Sequence, residues 1–190
     1  MTLPETLKIE VSLPDWFAEI NFDGSFESDD QKMQLALELA QKNITLGGGP
    51  FGAIVFDRDT KRVFSAGVNL VLQTQCSVLH AEIVALMFAE KRIGSYSLAS
   101  GAYELVTTSE PCAQCLGALC WSGIERLVCG ASISDAEALG FDEGPLRDDW
   151  TSAIERRGIR VVTNILRTEA VAVLRAYRAS GGHVYNGRKP

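Results

Sequence analysis

The sequence predicts an α/β protein, a three-layer αβα sandwich built around a mixed five-stranded sheet. Two observations carry this. Segments of strand length, rich in β-branched and aromatic residues, alternate along the chain with longer runs of strong helix formers. The first two strand-like segments are separated only by the turn-forming run Asp57-Arg58-Asp59-Thr60, so they form an antiparallel hairpin, whereas the later ones are joined through helical crossovers.

In chain order, residues 1–27 alternate proline, acids and isolated aromatics (Trp16, Phe17, Phe22, Phe26), the pattern of an irregular arm lying on the body. Ser28, Asp29 and Asp30 open the first helix, whose apolar face (Met33, Leu35, Ala36, Leu37, Leu39, Ala40, Ile44) runs up to Gly47. Strands are predicted over Gly52 to Asp57 and Arg62 to Leu70. Strong helix formers follow from Leu79 to Ile93, beginning with His80 and ending where Gly94 can cap. A strand over Tyr103 to Thr107 leads through Ser109-Glu110-Pro111 into a helix of small residues from Cys112 to about Ser122. Arg126 to Ala131 is the next strand. The rest reads as two or three helices around a short strand, Ile159 to Thr163, and a Gly-Gly tail. The organisation is an arm at 1–27, one domain at 28–180 and a tail at 181–190.

A chain of 190 residues, 46% hydrophobic and 22% charged, has the composition of a folded domain and can bury most of its apolar surface without disulfides. Its longest apolar run, Ile83 to Ala89, is too short to cross a bilayer, and the N-terminus has no charged n-region before an apolar stretch; a cytoplasmic protein is expected. The net charge of −6 is uneven. Positions 1–150 hold 22 acids and 10 bases (−12), and positions 151–190 hold 2 acids and 8 bases (+6). The arginines at 156, 157, 160, 167, 175 and 178 are spread along a helix-like segment rather than clustered with aromatics, which suits a solvated or subunit-facing helix better than a nucleic-acid surface.

The chemistry concentrates in two short motifs. His80-Ala81-Glu82 opens one helix and Pro111-Cys112-Ala113-Gln114-Cys115 opens another, each after an extended segment. Cysteines at i and i+3 of a first helical turn can aim two sulfurs at one ion, and a histidine from a neighbouring helix start can supply a third ligand. The positive end of a helix also favours thiolate over thiol. By itself Cys-x-x-Cys could be a redox pair or half of a zinc ribbon, but no second pair exists, and the other histidine, His183, sits in the tail. Cys76, Cys120 and Cys129 lie among small or apolar neighbours and are read as packing residues. Three ligands leave a tetrahedral Zn²⁺ one position short, the arrangement of catalytic rather than structural sites.

His-x-Glu with Pro-Cys-x-x-Cys is the signature of zinc nucleobase deaminases. From about Ser28 to Ala131 the chain resembles the cytidine and deoxycytidylate deaminase superfamily, on Pro50-Phe51-Gly52-Ala53, Gly67-Val68-Asn69, His80-Ala81-Glu82-Ile83 and Ser109 through Cys115. Within it the chain is most similar to guanine deaminases, on Gly48-Gly49-Pro50, Gly117 through Ser122, Gly140-Phe141-Asp142-Glu143 and a tail with Tyr185-Asn186. The long arm departs from the shortest members of that family.

The resemblance implies one Zn²⁺ per subunit on His80, Cys112 and Cys115, and hydrolysis of guanine to xanthine and ammonia. Zinc lowers the pKa of bound water from about 16 to roughly 7, giving a hydroxide to attack C2, and Glu82 shuttles protons without ligating the metal. Glu143 is implied as a second carboxylate in the reaction, and Asn69, Phe51, Ala81, Trp121, Phe141, Asp142 and Tyr185 as substrate contacts, with the tail closing over the site. Several of these residues have a plainer reading. Asn69 suits a base edge or a turn amide, Phe51 and Trp121 can wall a base or simply pack, and Glu143 can belong to a solvated acidic loop with Asp135, Glu137 and Asp148. A tRNA adenosine deaminase, a cytosine or cytidine deaminase and a zinc-stabilised binding module stand as alternatives; the negative body disfavours the first and the presence of Glu82 the last. A homodimer, no membrane and no nucleic-acid partner complete the expectation.

Overall fold

Ser28 starts the first helix by a reciprocal cap: its hydroxyl accepts from the Gln31 N–H at 3.2 Å, and Gln31 Oε1 accepts from the Ser28 N–H at 3.1 Å. In this computed structural model, which describes residues 9–187, the helix is α1 (Asp29–Thr45). It is followed by β1 (Gly52–Asp57), β2 (Arg62–Val68), α2 (Val71–Thr74), α3 (Ala81–Ile93), β3 (Tyr103–Ser109) and α4 (Ala113–Ser122). The chain continues through β4 (Arg126–Ala131), α5 (Ile133–Glu137), α6 (Trp150–Glu155), β5 (Arg160–Val162) and α7 (Arg167–Ala179). The first eight residues of the arm and the last three of the tail lie outside the described residues.

The five strands form one sheet in the order β2-β1-β3-β4-β5. β1 pairs antiparallel with both β2 and β3, while β3, β4 and β5 run parallel, so the sheet is mixed as expected. Strand periodicity separates two cores. Ile54, Phe56, Val106 and Val128 face α1 and α7, meeting Met33, Ala36, Val173 and Leu174. Ala53, Val55, Leu105 and Leu127 face the other way, onto Ala85 and Leu86 of α3, Leu119 of α4 and Trp150 and Ile154 of α6. With both faces covered, β1, β3 and β4 are buried almost throughout, and their central residues (Ala53 to Phe56, Leu105 and Val106, Leu127 and Val128) are apolar toward both sides. In the described part of the arm, Asp15–Glu19 forms a 3-10 turn that buries Trp16 and Phe17 in the α1 core.

The structure differs from the sequence reading at element ends. β2 stops at Val68, because Leu70 turns its N–H to Leu79 O (2.9 Å) and opens the short helix α2, which periodicity cannot reveal in four residues. β3 runs on to Ser109, held there by pairing with Ala131 of β4. His80 and Cys112 are not the first helical residues but extended N-caps of α3 and α4. Of the arginines in this segment, Arg156 and Arg157 follow the end of α6, Arg160 opens β5 and Arg167, Arg175 and Arg178 lie on α7.

A buried ionic cluster ties α1 to the sheet and was not visible in the sequence. Glu104 on β3, 1% exposed, accepts from Lys32 Nζ and Arg126 Nη1, each at 2.5 Å, and Arg126 also grips Asp29 with two bonds of 2.8 and 2.5 Å. The Arg126 hydrogen bonds, opposed by partial burial, hold the Asp29 carboxyl below its usual range. Deleting Glu104 would leave two buried cations sharing one peripheral carboxylate. Glu104→Ala is therefore expected to lose about 3–5 kcal/mol in urea unfolding, with Asp29→Asn losing less; a Glu104→Ala loss below about 1 kcal/mol would show that the cluster is not structurally important.

Candidate active site

At one edge of the sheet β3 and β4 end, β2 ends and β1 begins, and the starts of α3 and α4 converge there. A cavity of about 310 Å³ opens between them, at the small end of the range for small-molecule sites. Gly67 on β2 allows α3 to sit this close: a Cβ there would fall 2.5 Å from both Ala81 O and Ala85 N. The approach of α3 to the sheet delivers His80 and Glu82 to the cavity.

His80 Nδ1 lies 3.4 Å from Cys112 Sγ and 3.6 Å from Cys115 Sγ. Tetrahedral zinc with Zn–N of about 2.0–2.1 Å and Zn–S of about 2.3 Å requires N···S separations of roughly 3.6 Å, so the three donors are already spaced for the ion. No other group of three His, Cys, Asp or Glu donors among the described residues is arranged this way. Cys76, Cys120 and Cys129 stand apart from it: Cys76 packs against the α1 core, Cys120 lies against the opposite core and Cys129 is fully buried there.

The electrostatics also favour a cation. A hydrogen bond from the Cys115 thiol, then His80, outweigh burial and bring Cys112 down to about 4, so a thiolate forms readily. Cys115, which donates to Cys112 and is buried beside Glu82, is pushed well up. Burial pulls His80 down, but its bond to Cys112 and the charges of Glu82 and Glu143 carry it upward. Glu82, 6% exposed in the first turn of α3, is raised by burial and then by Cys112. Glu143, 8% exposed, is raised to about 8 by burial and then by Cys112 and Glu82. Two carboxyls and two sulfurs around one small cavity repel one another, and a divalent ion among them relieves that repulsion.

Around this centre the structure gathers most of the implied substrate contacts. Phe51, Asn69, Phe141, Asp142, Glu143 and Tyr185 all line the cavity. Phe141 meets Phe51 edge-on at 5.1 Å and Tyr185 at 5.6 Å, making an aromatic wall. The loop carrying Glu143 is pinned to α4 by Ala113 N–H donating to Glu143 O at 2.9 Å. The tail is pinned to the same loop: Asn186 Oδ1 accepts from Asp142 N–H at 3.0 Å and its Nδ2 donates to Gly140 O at 2.8 Å. Asn69 meets both of its readings. Its Oδ1 accepts from Val71 N–H at 3.2 Å as a turn amide does, while the residue still faces the cavity. Gly49 leaves room for this, since a Cβ there would meet Tyr185 Oη at 2.5 Å and Asn69 Oδ1 at 2.9 Å.

Two of the implied substrate contacts do not line this cavity. Trp121 is 76% exposed at the end of α4, with the Arg157 guanidinium 5.9 Å from its ring centre, and does not line the cavity, because the turn of α4 that faces inward carries Cys115 and Leu119 instead. Ala81 is fully buried in the α3 core and is also absent from the cavity wall. The sequence reading missed Asn43, fully buried at the end of α1, whose Nδ2 donates to Gly49 O and Asn69 O, both at 2.9 Å, and so positions Asn69. It also missed the cavity-lining side chain of Ser109.

Replacing Cys112 or Cys115 by Ala is expected to abolish bound zinc, whereas Cys76→Ala retains it, as read by metal analysis of purified protein. Full zinc occupancy in Cys112→Ala would exclude that sulfur as a ligand.

Residues 26–131 match the family model for the cytidine and deoxycytidylate deaminase zinc-binding region. A solved guanine deaminase from Nitrosomonas europaea is 40% identical with a TM-score of 0.86, the match covering 94% of this chain and 100% of that one. NE0047 in complex with 2,6-diaminopurine is 42% identical with a TM-score of 0.87, covering 93% and 96%. The tRNA-specific adenosine deaminase of Haemophilus influenzae is 41% identical over 114 residues, 60% of this chain, and the chain spans 64% of that relative's length. The guanine deaminase of Bacillus subtilis is 31% identical over 147 residues, 77% of this chain and 91% of that protein. With its histidine and two cysteines set at zinc-ligand spacing, the chain belongs to the cytidine and deoxycytidylate deaminase family.

Proposed function

We propose that this zinc-dependent aminohydrolase acts on a free purine base, converting guanine to xanthine and ammonia. The observation that carries the reading is a small cavity rich in carboxyls and covered by the chain's own tail. Glu82, Asp142 and Glu143 line it, and Tyr185, Asn186 and Gly187 close one side. Carboxyls are suited to the hydrogen-bond donors of guanine and unsuited to the phosphates of a polynucleotide.

His80, Cys112 and Cys115 would hold the Zn²⁺, which would supply the Lewis acidity that lowers the pKa of a water from about 16 to roughly 7. Glu82 is buried and readily protonated, so it can take a proton from water, pass it to N3 beside the attacked C2, and then assist the departing amine. Phe51 and Phe141, packed edge-on against each other, offer an apolar wall against which a flat ring can lie. Asn69, with Oδ1 engaged by Val71, offers its Nδ2 as a donor to a base acceptor. Glu143 supplies the acceptor for the adjacent N1–H and 2-amino donors of guanine. The N. europaea guanine deaminase and the complex with 2,6-diaminopurine support a purine pocket of this kind. The H. influenzae relative favours a second reading, adenosine in tRNA, against which stand the covering tail and a net charge of −6.

The homodimer and the cytoplasmic location belong to the same proposal. The exposed Trp121 ring on α4 is the feature that suits a subunit contact, and among the described residues no helix is long and apolar enough to cross a membrane.

Ammonia release from guanine, adenine, cytosine, cytidine, guanosine and adenosine-containing tRNA tests the substrate. Guanine is expected to give the highest kcat/KM; a preference for cytidine or tRNA would overturn the assignment. Glu82→Gln should keep zinc and fold while kcat falls by about 10²–10⁴, since an amide cannot relay protons. Glu143→Gln should lose roughly 2–4 kcal/mol of transition-state stabilisation, on the order of a hundredfold in kcat/KM for guanine, with Asp142→Asn and the surface control Glu137→Gln losing far less. Equal activity in all three would make the loop an acidic surface only.

A further inference from the structure

Among the described residues two buried side-chain oxygens have no hydrogen-bond partner, Ser109 Oγ and Tyr185 Oη, and both residues line the cavity. An unpaired buried hydroxyl is destabilising, and native proteins contain few of them. Two in one cavity mark it as shaped for a polar ligand. Tyr185 belongs to the tail already read as a substrate contact. Ser109 has no part in the chemistry derived so far.

The backbone fixes where Ser109 points. It is the last residue of β3 and pairs with Ala131 of β4. Along β3, Glu104 and Val106 face α1, while Leu105 faces the core beneath α3 and α4. Alternation places Ser109 on the side of Leu105, toward the helix starts that carry His80, Glu82 and Cys112. Its neighbours are satisfied elsewhere: Thr108 Oγ1 accepts from Gly52 N–H at 3.2 Å, and Glu110 Oε2 accepts from Ile133 N–H at 3.0 Å. Ser109 is only 4% exposed and is left facing the cavity.

We propose that Ser109 Oγ hydrogen-bonds the substituent on the carbon at which deamination takes place, an assignment that rests on the purine reading above. The reacting carbon must lie beside the metal ligands, and Cys112 is three residues along from Ser109, so the nearest part of a bound base is that carbon's substituent rather than the imidazole edge. The reaction exchanges an amine, which donates, for a carbonyl oxygen, which accepts. A hydroxyl does both. Ser109 Oγ accepts from the 2-amino group of guanine and donates to the 2-oxygen of xanthine, without moving. It transfers no proton itself: the C2–N bond breaks, the C2–O bond forms, and the protons travel through Glu82.

The test compares unmodified and Ser109→Ala protein, both zinc-loaded, by calorimetric titration with xanthine, which carries oxygen at C2, and with hypoxanthine, which carries only hydrogen there. The variant is expected to bind xanthine about five- to thirtyfold more weakly and to lose a similar factor in kcat/KM for guanine, with hypoxanthine binding unchanged. Its ligand-free Tm should be unchanged or higher, because an unpaired hydroxyl has been removed. Equal weakening of both ligands, no weakening of xanthine, or a lowered Tm with unchanged xanthine binding would overturn the assignment. Failure of the purine reading looks different: the unmodified protein would neither consume guanine nor bind either ligand.

Discussion

The meeting of two helix starts at one sheet edge is the constraint on which the molecule depends. α3 and α4 come from different crossovers, yet His80 and Cys112, their N-cap residues, must bring their donor atoms to 3.4 Å, with Cys115 3.6 Å from the same nitrogen. Neither helix can shift along its axis or rotate without breaking that spacing. The sheet holds them there. Gly67 admits α3 to contact with β2, and the parallel pairing of β3 with β4 sets where the chain leaves the sheet to enter α4.

A second requirement follows from the first. Sulfur ligands and carboxyls crowd the same small volume, and the resulting repulsion is the property that a catalytic metal site uses. Glu143 is held at about 8 and Glu82 is displaced upward for the same main reason, burial with an anion alongside. The protein sustains this arrangement with contacts outside the chemistry: Asn43 bracing the Asn69 turn, Asn186 tying the tail to the Glu143 loop, and the Glu104 cluster anchoring α1 to the sheet. Unpaired groups at Ser109 and Tyr185 are tolerated within a scaffold that is otherwise well satisfied.

What could be read from the sequence was what short-range spacing determines. The hairpin, the alternation of strands and helices, and the ligand trio are encoded within a few residues of each motif, so all are legible in the sequence. Resemblance added Asn69, Phe141, Glu143 and Tyr185, each of which reaches the cavity wall. Trp121 lies away from the cavity because a helix presents different faces on successive residues, and the inward face of α4 passes through Cys115 and Leu119 rather than through the tryptophan. The Lys32–Glu104–Arg126–Asp29 cluster joins residues up to 97 positions apart and has no local signature. Ser109 lies two residues beyond the strand end expected at Thr107, so its place in the alternation of β3 emerged only with the pairing to Ala131.

The dependence of the whole site on one metal position is tested most directly by adding Zn²⁺ stepwise to chelator-treated protein while following guanine consumption and bound metal together. Activity is predicted to rise in proportion to zinc and to saturate at one ion per chain, with xanthine and ammonia formed in equal amounts. Guanine turnover in the metal-free protein, or one bound zinc per chain with guanine left intact, would contradict the account.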